Sequence, residues 1–336
     1  MDNERRDNKI DAIRGFGMIL VICGHALDLL LEKEILETLI WRRVYDAIYS
    51  FHMPLFFCMS GYLFKDKSNE KVKSILCKNI VSLYFPYLIL NYLYWFERIV
   101  AKEILGMQLV SDTVSFSLKE CIRLAYAGDG LTWFLLSLLL IKIIFSIVYR
   151  FSSYTICGVF FSIMLWTSYF FPQYRIFELL GWGYFFFIGY LFRKQIENID
   201  KDKRKNLYIL NVNFLVAGII RYLELDLDII VKMMIGIAVF IFCMLYLKYI
   251  PCFRVMQYCG KYSLVVYMVH GLSQYISFFC WVDIMGIENG VLVLLLMIVL
   301  QTTLSFFIVV CFTKIKWLKW LEIFFYPYKY LKKLVS

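Results

Sequence analysis

Long apolar segments follow one another along almost the whole chain, and they constrain its fold more than any other feature. A helix that spans a membrane needs about 20 mostly apolar residues, and ten segments approach this length. Their limits are 12–31, 48–64, 79–96, 131–149, 154–171, 176–192, 207–222, 229–247, 262–282 and 290–313. Hydrophobic residues fill 61% of the 336 positions, against roughly half in soluble proteins. The sequence therefore predicts an all-α integral membrane protein with about ten transmembrane helices, which form a single polytopic domain over residues 1–336.

The distribution of positive charge predicts the orientation of these spans. If the N-terminus is cytoplasmic, the cytoplasmic segments carry 24 lysines and arginines and the external loops carry 9. This is the bias that membrane proteins show, and an even number of spans then places both termini in the cytoplasm. We expect a multi-pass protein of the cell membrane whose net charge of +10 serves this orientation. The lipid bilayer is therefore an expected partner, and nucleic acid is not.

The ten cysteines follow no spacing that is typical of a metal site, and most lie inside apolar segments. Such cysteines behave as small buried hydrophobes. We therefore expect no metal.

The three histidines of the chain, His25, His52 and His270, all fall within or at the edge of predicted spans. Ionisable groups at membrane depth are costly and are usually retained for function. The alternative for any one of them is a structural hydrogen bond between helices. Three such residues together favour a functional site.

The first span combines an arginine and a histidine on one face. Arg14 and His25 are eleven residues apart, which is about three helical turns and about 16 Å along the axis. Asp28 lies one turn beyond His25 and could accept its ring N–H, as the acid that orients a catalytic base does. The alternatives are a solvated helix end for Asp28 and, for Arg14, a side chain that reaches the headgroups.

The second span, in the stretch YSFHMPLFFCMSGYLFK, begins with His52 at about the depth of His25. Ser60 and Gly61 form a small polar spot deeper in this span. This pair is a candidate for contact with a ligand, and helix packing or a kink is the alternative.

Two later stretches carry further candidates. In GDGLTWFLLSLLLIK, Trp133 enters the fourth span at the outer interface, where aromatic belts occur, and Lys142 lies mid-span. Lys142 is a candidate to bind a phosphate or a side chain that reaches the inner headgroups. In GKYSLVVYMVHGL, the polar residues Ser263, Tyr267 and His270 are spaced so that they share one helix face.

Taken together, these motifs resemble the integral-membrane acyltransferase family 3. The resemblance rests on five motifs, in this order over residues 9–313: Arg-x10-His in the first span, FHMPLFF with SGY in the second, WFL, FFFIGY at residues 185–190, and SLxxYxxH. It implies an O-acyltransferase that moves an acyl group, commonly acetyl, from a coenzyme A thioester to a hydroxyl. The acceptors of the family are usually sugars of exported polysaccharides, lipopolysaccharide, peptidoglycan or small glycosides. The resemblance also implies that Arg14 and His25 are essential.

The residues fit this chemistry. A sugar hydroxyl needs a general base, which predicts His25 as the base with Asp28 to orient it and His52 to assist. Arg14 at the inner end is expected to bind a phosphate of acetyl-CoA, the co-substrate, because its planar fork of donors suits phosphate. Further candidates for binding the donor are Ser60, Gly61, Trp133 and Lys142.

A transporter or flippase for a glycolipid or anion is the second function class that the sequence allows. Intramembrane histidines also act as proton relays, and ten spans is a common transporter size. Against it, the chain has no inverted repeat and no matched pair of broken helices. The apolar helices also allow pairing with a second copy of the chain.

Overall fold

A computed structural model describes most of the chain. The described ranges are 7–36, 38–65, 72–103, 117–127, 132–199 and 228–315, with the single positions 323, 327, 328 and 330. Throughout these ranges the ordered elements are helices, and none of the described residues forms a strand. The all-α class expected from the sequence is confirmed for this part of the chain.

The helices of the N-terminal half begin with two long ones. They are α1 (Asn8–Glu32), α2 (Leu39–Tyr62), α3 (Val72–Asn79), α4 (Phe85–Glu103), α5 (Leu118–Leu124), α6 (Trp133–Phe151) and α7 (Tyr154–Phe170). A π-helical segment, Ile80–Tyr84, joins α3 to α4.

The remaining described helices follow in the same manner. They are α8 (Arg175–Gly181), α9 (Gly183–Ile199), α10 (Asp228–Tyr246), α11 (Phe253–Lys261), α12 (Ser263–Phe278) and α13 (Gly290–Lys314). A short 3₁₀ turn, Leu247–Tyr249, follows α10, and a π-helical segment, Phe279–Ile284, follows α12.

Four of the described helical segments are long and apolar enough to cross a membrane, and the number rises to six if two bent helix pairs each form one span. The four are Asn8–Glu32, Trp133–Phe151, Arg175–Arg193 and Gly290–Cys311. The bent pairs are Met233–Tyr249 with Phe253–Lys261 and Ser263–Gly271 with Ser273–Ile284. These helices support the expectation that the chain is a membrane protein with several spans.

Nine of the ten segments expected to be spans coincide with described helices, and the seventh, 207–222, lies outside the described residues. The structure also contains a helix that the apolar runs did not reveal. Phe253–Lys261 lies between the eighth and ninth predicted spans and packs against α1. Its mixture of polar and apolar residues hid it, because a short amphipathic helix lacks the long apolar run that marks a span.

The described residues group into two compact units. The first unit contains Met1–Lys65, Tyr184–Tyr267 and Ser277–Phe306. The second contains Asp66–Gly183, Met268–Ile276 and Phe307–Ser336.

Glycines allow a close helix contact in the first unit, between α1 and α11. A Cβ added at Gly15 would lie 2.6 Å from the carbonyl carbon of Met256, and one added at Gly260 would lie 2.6 Å from that of Asp11. The two backbones therefore approach each other at both positions, as small residues allow between membrane helices. This contact fixes the axial position of α1 relative to α11.

Helix α2 contacts α10 around a proline in its interior. Pro54 removes one helical hydrogen bond, and its ring lies beside Gly236 of α10, where a Cβ would meet the Pro54 ring. The missing side chain at Gly236 thus accommodates the bulge that the proline ring makes on α2.

In the second unit, the short helix α5 is stabilised by side chains that donate hydrogen bonds to the carbonyl groups at its C-terminal end. The hydroxyl of Tyr87 and the amide of Asn91 both donate to the Leu124 carbonyl at 2.9 Å. Tyr84 and Tyr92 donate to the carbonyls of Ala125 and Cys121 at 3.1 and 3.0 Å. The last carbonyls of a helix have no intrahelical partner, so these donors satisfy groups that would otherwise need water.

Candidate active site

Helix α1 carries Arg14 and His25 without interruption, so the expectation that they share one face holds for the described helix. The side chain of Arg14 is 36% exposed, and its Nη1 lies 3.7 Å from Oδ1 of Asp11, which is buried. Asp7 caps the same helix by accepting the backbone N–H of Lys9 at 2.9 Å. The arginine therefore sits near the first turns of α1, beside one carboxylate and within reach of solvent.

His25 meets α2 through a tyrosine. The hydroxyl of Tyr49 is 3.2 Å from Nδ1 of His25, and the two rings lie edge to face with centroids 6.2 Å apart. Gly24 leaves room for this contact, since a Cβ there would lie 3.2 Å from Cε2 of Tyr49. The glycine beside the histidine thus brings the Tyr49 ring close to α1.

Asp28, which the sequence places one turn beyond His25, is also connected to His25 through two tyrosines of α2. Asp28 forms its side-chain hydrogen bond with Tyr45, and Tyr45 is hydrogen-bonded to Tyr49. The rings of Tyr45 and Tyr49 lie 4.2 Å apart with a tilt of 32°. The two tyrosines were not anticipated, because reasoning along one helix leaves out the side chains that a second helix inserts.

His52 also contacts Tyr49. Its ring centroid is 4.8 Å from that of Tyr49, and its Nδ1 is 2.8 Å from the carbonyl of Ile48. A carbonyl only accepts, so Nδ1 of His52 carries the proton. The side chain of His52 is buried. Tyr49 therefore brings together the two histidines that the sequence placed at one depth.

Ser60 and Gly61 lie near the end of α2. A Cβ at Gly61 would lie 2.7 Å from the carbonyl carbon of Phe186, and one at Gly189 would lie 2.5 Å from that of Cys58. Gly61 therefore allows α2 to pack closely against α9. Helix packing was the alternative to ligand contact that the sequence analysis gave for this residue. Ser60 is half-buried and stays a candidate for contact with the donor.

The remaining sequence candidates divide between the two units. Ser263 and Tyr267 belong to the first unit, where both are half-buried on α12. Trp133, Lys142 and His270 belong to the second unit.

The three candidates of the second unit have defined surroundings. Trp133 begins α6 and stacks against Trp182 with ring centroids 5.3 Å apart. Lys142 lies mid-helix, and its carbonyl accepts from Ser146 at 2.6 Å. His270 is fully buried, and its carbonyl accepts from Ser273 at 2.9 Å. Their roles stay predictions.

An apolar crevice lies beside the stripe of α1 that holds Arg14 and His25. Met18, Ile19 and Ile22 of α1 line it at heights between those two residues. Ser305 of α13 also lines it, and the buried hydroxyl of Ser305 has no hydrogen-bond partner among the described residues. Among these residues no group of histidine, cysteine or carboxylate side chains is arranged to hold a metal ion.

A family model described as an acyltransferase domain matches residues 7–313. The chain belongs to acyltransferase family 3. The match covers α1 and α2. It therefore includes the cluster around His25, which consists of His25, Asp28, Tyr45, Tyr49 and His52. No solved structure matches the chain.

One curated relative adds a second comparison. The nodulation protein NolL of Sinorhizobium fredii is 29% identical over 198 residues, which cover 57% of this chain and 50% of NolL. The chain thus spans about half the length of this relative.

For an acyltransferase of this family, the structure adds residues that the sequence reasoning missed. Tyr45 and Tyr49 were not singled out, although they precede His52 at the spacing of one helix face. Arg42, Arg43 and Asp46 made this region resemble a loop, so the predicted span began only at 48. The helix begins at Leu39, and this extra length places Tyr45 opposite Asp28.

Proposed function

We propose that this acyltransferase is a multi-pass membrane O-acetyltransferase that transfers acetyl from acetyl-CoA to a hydroxyl of a carbohydrate. The observation that carries the proposal is the contact of His25 with Tyr49, at 3.2 Å, within a side-chain cluster that ends at Asp28. A histidine supported in this way is suited to general-base catalysis. The acceptor belongs to a cell-surface polysaccharide, glycolipid or related glycan.

In the proposed reaction, His25 takes the proton from the acceptor hydroxyl while that oxygen attacks the thioester carbonyl. The new carbon–oxygen bond forms, the carbon–sulfur bond breaks, and the proton passes from His25 to the departing thiolate of coenzyme A. A hydroxyl is a weak nucleophile at neutral pH, so the base acts at the step that most needs it. His52, whose ring contacts that of Tyr49, assists.

The donor is proposed to bind along α1 from the cytoplasmic side. Arg14 contacts a phosphate of acetyl-CoA, for which its partly exposed guanidinium is suited. The rise of about 16 Å from Arg14 to His25 suits the extended pantetheine arm. Ser60, Trp133 and Lys142 are further candidates for donor contacts.

The ten-span topology with both termini in the cytoplasm is part of the same proposal. The four to six spans found by length and composition support a multi-pass protein, and the excess of positive residues in the assigned cytoplasmic segments supports the orientation. The cell membrane is the proposed location, where a cytosolic donor and an envelope glycan meet.

The test measures transfer of radiolabelled acetyl from acetyl-CoA to a cell-envelope polysaccharide fraction by purified protein in liposomes. Wild-type protein should label the polysaccharide, and His25→Ala should reduce turnover by roughly 10²- to 10⁴-fold, the usual contribution of a positioned base. Binding of acetyl-CoA should stay near the wild-type value, because the proposed donor contacts lie lower on α1.

Cys23→Ala is the matched control, since Cys23 is half-buried on the same helix and has no proposed role. Its turnover should remain near that of the wild type. If folded His25→Ala keeps more than about a tenth of wild-type turnover, too much for the loss of a base, His25 is a structural histidine. If the wild type moves a glycolipid across the bilayer without consuming thioester, the transporter alternative is correct.

A further inference from the structure

The cluster around His25 is a continuous line of hydrogen-bonding groups that leaves α1 and returns to it. It runs from His25 to Tyr49, then to Tyr45, and ends at Asp28. Its two ends belong to α1 and its two middle members to α2. The last member is a carboxylate, and this fixes which group donates and which accepts in each hydrogen bond of the line.

The direction follows from counting protons. An ionised carboxylate only accepts, and each tyrosine has a single O–H proton to donate. Tyr45 therefore donates to Asp28, and Tyr49 donates to the oxygen of Tyr45. The proton of Tyr49 is then used, so its oxygen accepts the N–H of His25 at Nδ1.

We propose that Tyr45 and Tyr49 are positioning residues that hold His25 with its proton on Nδ1, so that Nε2 is the basic nitrogen. This inference rests on the proposed function, in which His25 is the base. Which ring nitrogen is basic is set by the hydrogen bond that the other nitrogen makes. Asp28 contributes through the two phenols, and none of these three residues needs to touch substrate.

The same line stabilises His25 after it takes a proton. The imidazolium keeps its Nδ1–H bond to Tyr49, and each phenol in a hydrogen-bonded series polarises the next. The carboxylate at the far end balances the new positive charge, as the buried acid does for the histidine of a hydrolase triad. In this chain two phenols extend that arrangement across a helix interface.

Packing keeps the members in register. Tyr45, Tyr49 and His52 follow one another on one face of α2, and the two tyrosine rings lie 4.2 Å apart. Opposite them, Gly24 leaves the space that the Tyr49 ring uses. The rings thus keep their places when a hydroxyl is removed, so replacing tyrosine by phenylalanine tests the hydrogen bonds alone.

The first measurement needs no activity. Wild-type protein containing ring-¹⁵N histidine has three histidines to resolve, and the spectrum of His25→Ala identifies the signals of His25. The expected result at neutral pH is a proton on Nδ1 and a bare Nε2, with a shift toward the other tautomer in Tyr49→Phe. A proton on Nε2 of wild-type His25 would overturn the proposal, whether or not Tyr49→Phe folds.

The second measurement is kinetic. Tyr49→Phe and Asp28→Asn should each lower kcat by roughly 10- to 100-fold, the usual effect of losing a partner that orients a functional histidine, with little change in KM for acetyl-CoA. Tyr92→Phe is the matched control, because it also loses one hydroxyl hydrogen bond, at 3.0 Å to Cys121. Its kcat should stay within about twofold of the wild type, because this hydrogen bond holds α5 and takes no part in the proposed reaction.

The outcomes separate the two proposals. If His25→Ala is inactive while Tyr49→Phe and Asp28→Asn keep full kcat, the positioning role is overturned and the proposed function stands. If the wild type transfers no acyl group, the proposed function fails, and the nitrogen spectrum still decides the tautomer by itself. Equal losses of kcat in Tyr49→Phe and Tyr92→Phe would also overturn the positioning role.

Discussion

Replacing Gly15 by alanine should separate α1 from α11, and the structure gives the size of the effect. The added Cβ would lie 2.6 Å from the Met256 carbonyl carbon and 2.9 Å from the Gly260 nitrogen. These are backbone atoms of a helix, so neither can move away alone. The two helices must separate by roughly 1 Å, a gap that forfeits a quarter to a half of the dispersion energy along the contact.

The free energy of unfolding should fall by about 2 kcal/mol. Overpacking of this kind costs about 1–3 kcal/mol and sometimes more, and alanine returns at most about 1 kcal/mol through its better helix propensity. With an unfolding entropy of about 2.1 cal/mol/K per residue, a loss of that size lowers Tm by roughly 3 °C in this chain of 336 residues. Gly17→Ala is the matched control, because its Cβ would meet only the end of the Phe56 ring, at 2.7 Å. That ring can rotate away, so the Tm should hardly change.

The assay is thermal unfolding of the purified variants in one detergent, followed by tryptophan fluorescence. Gly260→Ala, which enters the same contact from α11, should resemble Gly15→Ala. The double variant should lose less than the sum of the two, since the first substitution has already opened the gap. If Gly15→Ala melts within about 1 °C of Gly17→Ala, well below the shift that 2 kcal/mol produces, the α1–α11 contact is not as close as described.

Three further predictions test the donor site, the topology and a pH dependence. Arg14→Lys keeps the charge but loses the planar fork, so acetyl-CoA should bind more weakly by calorimetry; equal affinity in wild type and Arg14→Ala would remove Arg14 from the site. A reporter fused after Ser336 should be cytoplasmic, and an external signal would refute the ten-span orientation. The hydrogen bond from Arg123, at 2.9 Å, holds the pKa of Glu120 below its usual value. This surface pair should therefore add a few tenths of a kcal/mol at neutral pH, an increment lost as the pH falls through that lowered pKa, so the Tm of Glu120→Gln should match the wild type in acid.

The sequence predicted elements more successfully than contacts. Apolar runs located nine helices because bilayer thickness sets a minimum length for such runs. The shared face of Arg14 and His25 also followed from one helix alone, since helical geometry is regular. Each of these inferences needed only residues that are close in the chain.

The sequence reasoning was incomplete where a second helix decides the contacts. The two tyrosines between Asp28 and His25 were not anticipated because the side chains of α2 were not considered. Tyr45 was overlooked because the charges near it resembled a loop, and α11 because it is short. Gly61 was proposed for a ligand, whereas its neighbour is the backbone of α9. Contacts between distant segments depend on helix register, which composition and periodicity do not specify.

The line of groups from Asp28 to His25 crosses the α1–α2 interface twice, so under the proposed mechanism the chemistry would be sensitive to molecules that never enter the active site. A small apolar compound wedged between these helices near Gly24 would separate Tyr49 from His25 while the donor and acceptor sites stayed intact. Such a compound would be a noncompetitive inhibitor, whose potency does not depend on the concentration of either substrate. Lipids that intercalate at the same place would act in the same way, so the composition of the surrounding bilayer would set the turnover of the enzyme.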